Sequence, residues 1–310
     1  MYPNFADRDG LIWFDGELRP WRECQVHVLT HTLHYGLGCF EGVRAYQTSK
    51  GAAIFRLHDH TRRLFDSAKI LSMAMPYSKE EINAAQMAAV ASNDLDHAYI
   101  RPMVFYGSEG MGLRADGLKT HVMIAAWAWG SYMGEENIQR GIKVRTSSYT
   151  RHHVNITMTK AKANGNYMNS MLALQEALAS GADEALLLDP EGYVAEGSGE
   201  NIFIVRDGVL YTPELNSCLD GITRKTIFRL AKDNGIDVVE KRITRDEVLI
   251  ADEAFFTGTA AEVTPIRELD GRPIGIGKRG PITELLQTDF FDLVHGRMDR
   301  HQDWITLVKD

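Results

Sequence analysis

The sequence lacks long uncharged apolar runs and basic blocks. No segment reaches the roughly 18 apolar residues that a membrane-spanning helix needs. The first residues, MYPNFADRDGLIWF, carry acids where a signal peptide carries lysines. The formal net charge is −8, and no run of about five or six basic residues occurs. We therefore expect neither a membrane nor a nucleic acid as a partner.

Cysteine is scarce, and the common nucleotide motifs are missing. The three cysteines (Cys24, Cys39, Cys218) lie far apart and are odd in number. This pattern excludes a disulfide framework or a zinc ribbon and favours the reducing cytoplasm. No histidine pair has a third ligand nearby, so we expect no metal. GxxxxGK[ST] is absent, and the third glycine of GLGCFEG (36–42) is not at the spacing of a dinucleotide-binding loop.

Length and composition predict a soluble protein of two domains. The chain has 310 residues, of which 44% are hydrophobic and 25% charged. Strand-like and helix-like segments mix without strict βαβ alternation, which favours an α+β fold. A polar, glycine-bearing stretch gives the boundary. We predict a smaller N-terminal α+β domain at 1–130, an interdomain loop at 131–137 and a larger C-terminal domain at 138–310.

Local patterns predict several elements. A hairpin with an Asp-Gly turn is expected around Gly16, because apolar residues flank the turn. Apolar residues at helical spacing predict a helix over 58–73, and Ser78 with Glu81 forms a capping box that opens a second helix. The segments 97–106 and 120–129 are rich in β-branched and aromatic residues and predict strands.

Two lysines precede a small-residue turn in TKAKANGNY (159–167). A lysine held beside such a turn can be partly desolvated, which lowers its pKa and makes the amine nucleophilic. The simpler interpretation is a solvated turn lysine, and this segment alone favours it. Nor can local chemistry choose between Lys160 and Lys162.

Three other segments suggest binding chemistry. Asp220-Gly221-Ile222-Thr223 opens a helix whose first N–H groups are unpaired, which suits a phosphate. Gly258-Thr259-Ala260-Ala261 is a second small-residue turn, and Glu196 lies in the glycine-rich AEGSGEN. Each of these three segments is weak evidence for a binding site when taken alone, since capped helices and loop carboxylates are common. A phosphate cup, a nucleophilic lysine and an isolated carboxylate together are the parts that pyridoxal phosphate needs.

The chain resembles the fold-type IV pyridoxal phosphate enzymes, and bacterial branched-chain aminotransferases are the closest match. The matching runs are HTLHYGLGCFEGVRAY (31–46), HTRRLFDSAK (60–69), AYIRP (98–102), KANGNY (162–167), VAEGSGENIF (194–203), LDGITR (219–224) and FFTGTAAEVTPI (255–266). The resemblance implies a D-amino acid aminotransferase-like α+β fold of two domains. Each domain would be a mixed sheet or barrel with helices, the larger one would bind the cofactor, and the active site would lie between them.

The resemblance also assigns cofactor residues. The family's Schiff-base lysine stands three residues before Gly-Asn-Tyr, which selects Lys162, whereas Lys160 departs from the family pattern. Glu196 rather than Glu200 would face the pyridine nitrogen, and Arg63 rather than Arg62 would bind the phosphate. The remaining implied cofactor-binding residues are Tyr167, Leu219, Ile222, Thr223 and Thr259.

Substrate residues are implied in the same way. Arg101 interrupts an apolar strand and needs a partner; with Tyr35 it would bind the distal carboxylate of glutamate. Tyr99, Thr259 and Ala260 would take the α-carboxylate. The implied aromatic walls are Phe40, Trp129, Tyr132 and Tyr167, each of which could also be ordinary core. Tyr35, Met111 and Leu113 would reach in from a neighbouring subunit, which implies a homodimer or a higher homo-oligomer.

The implied activity is a transaminase of branched-chain amino-acid biosynthesis. It would move the amino group of L-leucine, L-isoleucine or L-valine to 2-oxoglutarate, so its partners are small amino acids and 2-oxo acids. The alternatives within the fold are D-amino acid aminotransferase, (R)-selective amine transaminase and aminodeoxychorismate lyase. A cofactor-binding protein without turnover and a nicotinamide oxidoreductase are the alternatives outside the transaminase class.

Overall fold

The computed structural model describes residues 4–130 and 134–308. Contacts divide the chain into two compact units. Unit 1 contains Met1–Trp129, Ala161–Gly165 and Val294–Asp310, and unit 2 contains Gly130–Lys160 and Asn166–Leu293. The domain ranges taken from the sequence stay predictions. The short segment 161–165 and the last 17 residues nevertheless group with the N-terminal part of the chain.

Helices and strands follow one another without strict alternation. The helices of the described residues are α1 (His31–Tyr35), α2 (Leu57–Ile70), α3 (Lys79–Ala91), α4 (Glu135–Arg140), α5 (Val154–Thr157), α6 (Tyr167–Ala179), α7 (Ile222–Asp233), α8 (Arg245–Leu249) and α9 (Pro281–Val294). The strands are β1 (Leu11–Phe14), β2 (Glu17–Pro20), β3 (Gly38–Phe40), β4 (Val43–Thr48), β5 (Gly51–Phe55), β6 (Ala98–Tyr106), β7 (Thr120–Trp127), β8 (Ile142–Thr146), β9 (Glu184–Leu188), β10 (Val194–Gly197), β11 (Asn201–Arg206), β12 (Val209–Thr212), β13 (Val238–Glu240), β14 (Glu253–Gly258), β15 (Glu262–Leu269), β16 (Arg272–Pro273) and β17 (Ile305–Leu307).

Unit 1 is built on one sheet with the strand order β17-β5-β4-β6-β7-β1-β2, and β3 pairs with β6. Its described strand pairs are antiparallel. The predicted hairpin is present: β1 pairs with β2 through Asp15 and Gly16, whose φ angles are 48° and 103°. Positive φ at both central residues is what a two-residue turn of the right twist requires.

Helices α2 and α3 cover one face of this sheet. Leu64 of α2 and Ile82 of α3 are fully buried with Ile100 and Ile124 of the two central strands. Burying side chains of this size stabilises the fold by about 1.5–3 kcal/mol each. The predicted capping box begins α3: Ser78 N–H donates to Glu81 Oε2 over 2.7 Å, and Glu81 N–H donates to Ser78 Oγ over 3.2 Å.

Unit 2 is built on a second sheet, with the order β10-β9-β8-β15-β14-β11-β12-β13 and β16 paired with β15. This sheet is mixed, because β8 lies parallel to both β9 and β15 while β11, β14 and β15 are antiparallel neighbours. Phe203, Phe255 and Phe256 on the central strands are fully buried. The α+β fold class expected from the sequence is confirmed.

Two parts of the fold differ from the sequence-based expectations. Residues 135–140, in a stretch without helical periodicity, form α4, which starts after Gly134 and stops at Gly141, where φ is 87°. The side-chain amide of Gln287 donates to the carbonyl of Ile138 over 2.9 Å. Such tertiary support matters because six residues are too few for a stable isolated helix. Residues after 268, for which no element is predicted from the sequence, supply α9 and the edge strand β17.

In the described part of the chain, none of the helices combines the length and the apolar character needed to cross a bilayer.

Candidate active site

Lys162 is half-buried, and both of its backbone polar groups are fixed within unit 1. Its N–H donates to Ser67 Oγ over 3.0 Å, and its carbonyl accepts from Phe40 N–H over 3.1 Å. Its neighbour Ala163 forms a β-bridge with Cys39. Lys162 Nζ lies 5.0 Å from the centroid of the Phe40 ring. The backbone therefore holds this lysine firmly, and an aromatic face lies beside its amine.

Lys160 has a different environment and belongs to unit 2. It is exposed, and its Nζ donates to the carbonyls of Leu215 and Cys218, the latter over 3.3 Å. A lysine whose ammonium donates to carbonyls of a nearby loop acts as a structural cation.

Arg63 lies in a buried ion pair on α2, whereas Arg62 faces outward. The Arg63 side chain is 13% exposed, and its Nε and Nη2 donate to the two oxygens of Glu41 over 2.6 and 3.0 Å. Glu41 also accepts from His60 Nδ1 over 2.7 Å. Arg62 is 58% exposed and pairs with Asp59. The environments of the two arginines agree with the choice of Arg63, whose phosphate role stays a prediction.

The electrostatics of Glu41 follow from these contacts. Burial alone would raise the pKa of this carboxyl, but attraction to Arg63 and then to His60, with their hydrogen bonds, lowers the pKa to about 2. Burial lowers the pKa of His60, although the Glu41 carboxylate opposes this change. Near neutral pH the cluster therefore holds an ionised Glu41 and a neutral His60.

Unit 1 also gathers four of the predicted substrate residues. Arg101 Nη2 donates to the Tyr99 hydroxyl over 3.1 Å, and its guanidinium carbon lies 4.6 Å from the Phe40 ring centroid and 5.3 Å from that of Tyr99. Trp129 packs edge-on against Tyr99 at 4.6 Å. Arg101 Nε is buried without a hydrogen-bond partner among the described residues. A guanidinium that lies between aromatic rings and has an N–H available to donate suits a carboxylate ligand.

The residues expected to reach a neighbouring subunit lie on the surface of unit 1. Leu113 is 91% exposed, and Met111 and Tyr35 are about half exposed. The Tyr35 hydroxyl accepts from Gly112 N–H over 3.1 Å, which links α1 to the loop that carries the other two residues. Tyr132, the remaining predicted aromatic wall, lies outside the described residues.

Glu196 lies in β10 of unit 2 and is 4% exposed. The register of β10 against β9 shifts between Val194 and Glu196; such bulges redirect side chains next to functional sites. Glu196 Oε1 accepts from Arg151 Nε and Nη2 over 2.8 and 2.7 Å, and Oε2 accepts from Leu219 N–H over 3.1 Å. The carboxylate is thus held on two sides and keeps lone pairs for a further donor.

Arg151 is a buried partner of Glu196 that the sequence did not predict. It is 7% exposed and also donates to Asn169 Oδ1 and Ser170 Oγ of α6 over 3.1 and 3.0 Å. Its local sequence, Arg-His-His, shows only a basic residue beside two histidines. No local pattern indicates that Arg151 pairs with Glu196, which lies 45 positions later. Glu200 accepts from Gly199 N–H over 3.0 Å, a contact within its own loop.

The predicted phosphate cup forms the start of α7. The helix begins after Gly221 without a side-chain cap and without an acid in its first turn. Its first N–H groups therefore have no carboxylate of the first turn as a partner, which suits an anion. Ile222 and Thr223 are 4% exposed. A Cβ at Gly221 would stand 1.9 Å from Asn201 Oδ1, so the close approach of these chains requires glycine.

The other predicted residues of unit 2 are also placed. Thr259 and Ala260 are half-buried in the turn between β14 and β15, and Tyr167 is half-buried at the first position of α6. The donors of each unit suit pyridoxal phosphate. Unit 1 offers Arg63 for a phosphate and an anchored lysine, and unit 2 offers an uncapped helix start for a phosphate and a partnered carboxylate for a pyridinium N–H. Within each unit the predicted residues occupy sites that suit these roles.

Comparison with known proteins gives the family. The model of the amino-transferase class IV family matches residues 38–269. The branched-chain-amino-acid aminotransferase of Pseudomonas aeruginosa is 72% identical over 306 residues, which cover 99% of this chain and 100% of that protein. The branched-chain-amino-acid aminotransferase of Escherichia coli K12 is 45% identical over 299 residues, which cover 96% of this chain and 97% of that protein.

A solved structure of the T.th. branched-chain amino acid aminotransferase with pyridoxamine 5'-phosphate is 49% identical and matches with a TM-score of 0.95. The match covers 97% of this chain and 99% of that one. The sequence-based resemblance is thereby confirmed, and the chain belongs to the branched-chain-amino-acid aminotransferase family of the class IV aminotransferases.

Proposed function

We propose that this chain transfers the amino group of L-leucine, L-isoleucine or L-valine to 2-oxoglutarate with pyridoxal phosphate as its cofactor. Arg101 beside Phe40 and Tyr99 is the observation that carries the proposal. A transaminase of this kind must bind an aliphatic side chain and then the carboxylate side chain of glutamate. An apolar wall alone rejects the second substrate, because burying an unpaired carboxylate is costly. A cation set in an aromatic surround accommodates both.

The cofactor supplies an electron-accepting ring that stabilises negative charge at the substrate's α-carbon. In this proposal Lys162 would hold the cofactor, and its Nζ would take the proton from the substrate's α-carbon. Glu196 accepts a hydrogen bond from the pyridine nitrogen. Arg63 and the start of α7 at Ile222 and Thr223 bind the phosphate. The other residues proposed to contact the cofactor are Tyr167, Leu219 and Thr259.

Substrate orientation is assigned to the remaining residues. Arg101 and Tyr35 bind the distal carboxylate of glutamate or 2-oxoglutarate, because a guanidinium pairs two carboxylate oxygens at once. Tyr99, Thr259 and Ala260 bind the α-carboxylate. The proposed aromatic walls around an aliphatic side chain are Phe40, Trp129, Tyr132 and Tyr167.

We further propose that the enzyme is a homodimer, or a higher homo-oligomer, of the reducing cytoplasm. Val28, Leu33 and Leu113 of unit 1 are 76%, 65% and 91% exposed. Large apolar side chains exposed together favour an interface with another chain. In this assembly Tyr35, Met111 and Leu113 contribute to a neighbouring subunit's substrate site. The three free cysteines support a reducing compartment.

A substrate panel tests the proposed reaction. The purified full-length chain, supplied with pyridoxal phosphate, is expected to show visible absorbance that shifts on addition of L-leucine and returns on addition of 2-oxoglutarate. Turnover with L-leucine and 2-oxoglutarate should exceed turnover with D-alanine or (R)-phenylethylamine. Preference for either of those amines, or cleavage of aminodeoxychorismate, would contradict the assignment.

A further inference from the structure

Glu41 is a completely buried carboxylate to which the proposed reaction gives no task. It is 0% exposed and lies just after β3, where its N–H donates to the carbonyl of Pro102 over 2.8 Å. Its Oε1 accepts from Arg63 Nε, and its Oε2 accepts from both Arg63 Nη2 and His60 Nδ1. One carboxylate therefore receives three hydrogen bonds from two side chains of α2.

The helix brings the two donors together. His60 and Arg63 are three residues apart, so they lie on the same face of α2. His60 is 2% exposed, and the Arg63 side chain is 13% exposed. An ionised carboxylate can only accept, so His60 carries its proton on Nδ1 and donates it to Glu41. The two contacts hold the carboxylate, and the carboxylate in turn fixes the plane of the guanidinium.

Stability alone does not account for this arrangement. Removing two opposite charges from water generally costs as much as their attraction returns, and apolar replacements are often equally stable. Two parallel N–H donors on one carboxylate do, however, fix a guanidinium in a single orientation. The low pKa of Glu41 keeps the pair ionised at every pH at which the enzyme would work. The contacts thus fix the orientation of the guanidinium, which an apolar replacement of similar stability would not do.

The same helix also holds the catalytic lysine. Ser67, one turn after Arg63 on α2, is fully buried and accepts the Lys162 N–H. Phe40, the residue before Glu41, donates its N–H to the Lys162 carbonyl. Arg63 and Lys162 are therefore fixed by the same two segments. A guanidinium that turned away from Glu41 would change its direction relative to Lys162.

We propose that Glu41, supported by His60, is a positioning residue that holds the Arg63 guanidinium in the orientation that binds the cofactor's phosphate. This inference rests on the proposed function, in which Arg63 binds that phosphate. It assigns a role to two residues that contact neither the substrate nor the reacting atoms.

Paired binding measurements test the inference. Pyridoxal has the aldehyde and the ring of pyridoxal phosphate but no phosphate, so the ratio of the two dissociation constants isolates phosphate recognition. The full-length chain freed of cofactor is titrated with each compound, and binding is followed by absorbance. In Glu41→Gln the preference for the phosphorylated compound should fall about 10- to 100-fold, the usual loss when one partner of a charged hydrogen bond is removed. Pyridoxal binding should change little.

Two further variants separate this inference from the proposed function. Arg63→Gln should also lower the phosphate preference, and the exposed neighbour Arg62→Gln should leave it unchanged. If Arg63→Gln has no effect, the phosphate role of Arg63 fails. If Arg63→Gln lowers the preference and Glu41→Gln does not, the positioning role alone fails. An equal loss for both compounds in Glu41→Gln, or a gain for the phosphorylated one, also overturns the positioning role.

The histidine gives an independent measurement should Glu41→Gln not fold. His60→Leu removes one neutral hydrogen bond from Glu41 and should lower the phosphate preference by about 3- to 10-fold. His60→Asn returns an N–H donor near the position of Nδ1 and should recover most of that loss. A His60→Leu enzyme with an unchanged phosphate preference, or an asparagine that recovers nothing, contradicts the inference.

Discussion

Arg151 and Glu196 form a buried ion pair in which Arg151 Nη2 lies 2.7 Å from Glu196 Oε1. Their side chains are 8% and 5% exposed. Burying a carboxylate at this depth without a partner would be costly. Arg151 provides the compensating charge, and the Leu219 N–H holds the second oxygen. Both oxygens of Glu196 are thereby fixed, and in the proposed function this carboxylate accepts from the pyridine N–H.

We predict that Arg151→Gln lowers both stability and turnover. Removing one partner of a buried pair leaves the other charge unpaired and costs about 3–5 kcal/mol, which should lower the free energy of unfolding measured in urea. The kcat/KM for L-leucine should fall about 10- to 100-fold as Glu196 loses its orientation. The control is Arg242→Gln, since Arg242 and Glu191 form a pair that is 47% and 63% exposed. Such pairs are worth about 0–1 kcal/mol.

The two lysines of the TKAKANGNY segment should behave differently. Lys162→Ala should abolish the visible absorbance of the bound cofactor and lower activity by at least about 10²–10⁴-fold, the usual contribution of a general acid–base. Lys160→Ala removes only hydrogen bonds to two loop carbonyls. It should keep both the absorbance and the turnover. The reverse pattern would assign the catalytic role to Lys160.

Short-range chemistry explains which elements the sequence predicts well. The Asp15-Gly16 turn and the Ser78–Glu81 cap each depend on residues within three positions of one another, and both are present. The helix expected over 58–73 is Leu57–Ile70, which starts one residue earlier and ends three residues earlier than expected.

Long-range contacts explain what the sequence does not predict. Strand β17 is a three-residue edge that pairs Ile305 with Phe55, and no local pattern indicates a partner about 250 positions away. The charge partners in the candidate site also lie beyond the reach of a local pattern. Glu41 lies 22 positions before Arg63, and Arg151 lies 45 positions before Glu196. Motif resemblance selected Arg63 and Glu196, but their counter-charges emerge only when the chain is folded.

Substitution of Arg101 should separate the two half-reactions. Arg101→Met keeps a long side chain beside Phe40 and Tyr99 but removes the charge. The rate of the half-reaction with L-leucine should stay within about tenfold of the rate of the unaltered enzyme. The KM for 2-oxoglutarate should rise about 100-fold, because its distal carboxylate loses a charged partner. Single-turnover absorbance measures each half-reaction separately. Arg19→Met on the exposed β2 is the control, and equal losses in both half-reactions would contradict the role.

The thiols should differ sharply in reactivity. Burial, followed by the nearby carboxylates, raises the pKa of Cys39 and of Cys218 to about 12. Thiolate is the reactive form, so neither should react with iodoacetamide at pH 8. Cys24 is half-buried with a raised pKa and should react slowly. After labelling of the native protein, mass spectrometry should find the label on Cys24. After labelling of the protein unfolded in urea, it should find the label on all three cysteines. Fast labelling of Cys39 in the native protein would show that unit 1 unfolds locally often enough to expose this thiol.

Acid should destabilise the protein through the Glu41 cluster. The pKa of Glu41 is about 2, against 4.5 for an ordinary glutamate, so the unfolded chain binds a proton before the folded one does. This stabilising contribution, about 3 kcal/mol, is complete above pH 4.5 and is lost as the pH falls toward 2. The lowered pKa of His60 adds a loss that begins below pH 6.5. Urea unfolding from pH 7 to pH 2 should therefore show the stability gap between the unaltered protein and Glu41→Gln narrowing by about 3 kcal/mol below pH 4.5. A gap that stays constant over this range would mean that Glu41 is not held ionised by Arg63.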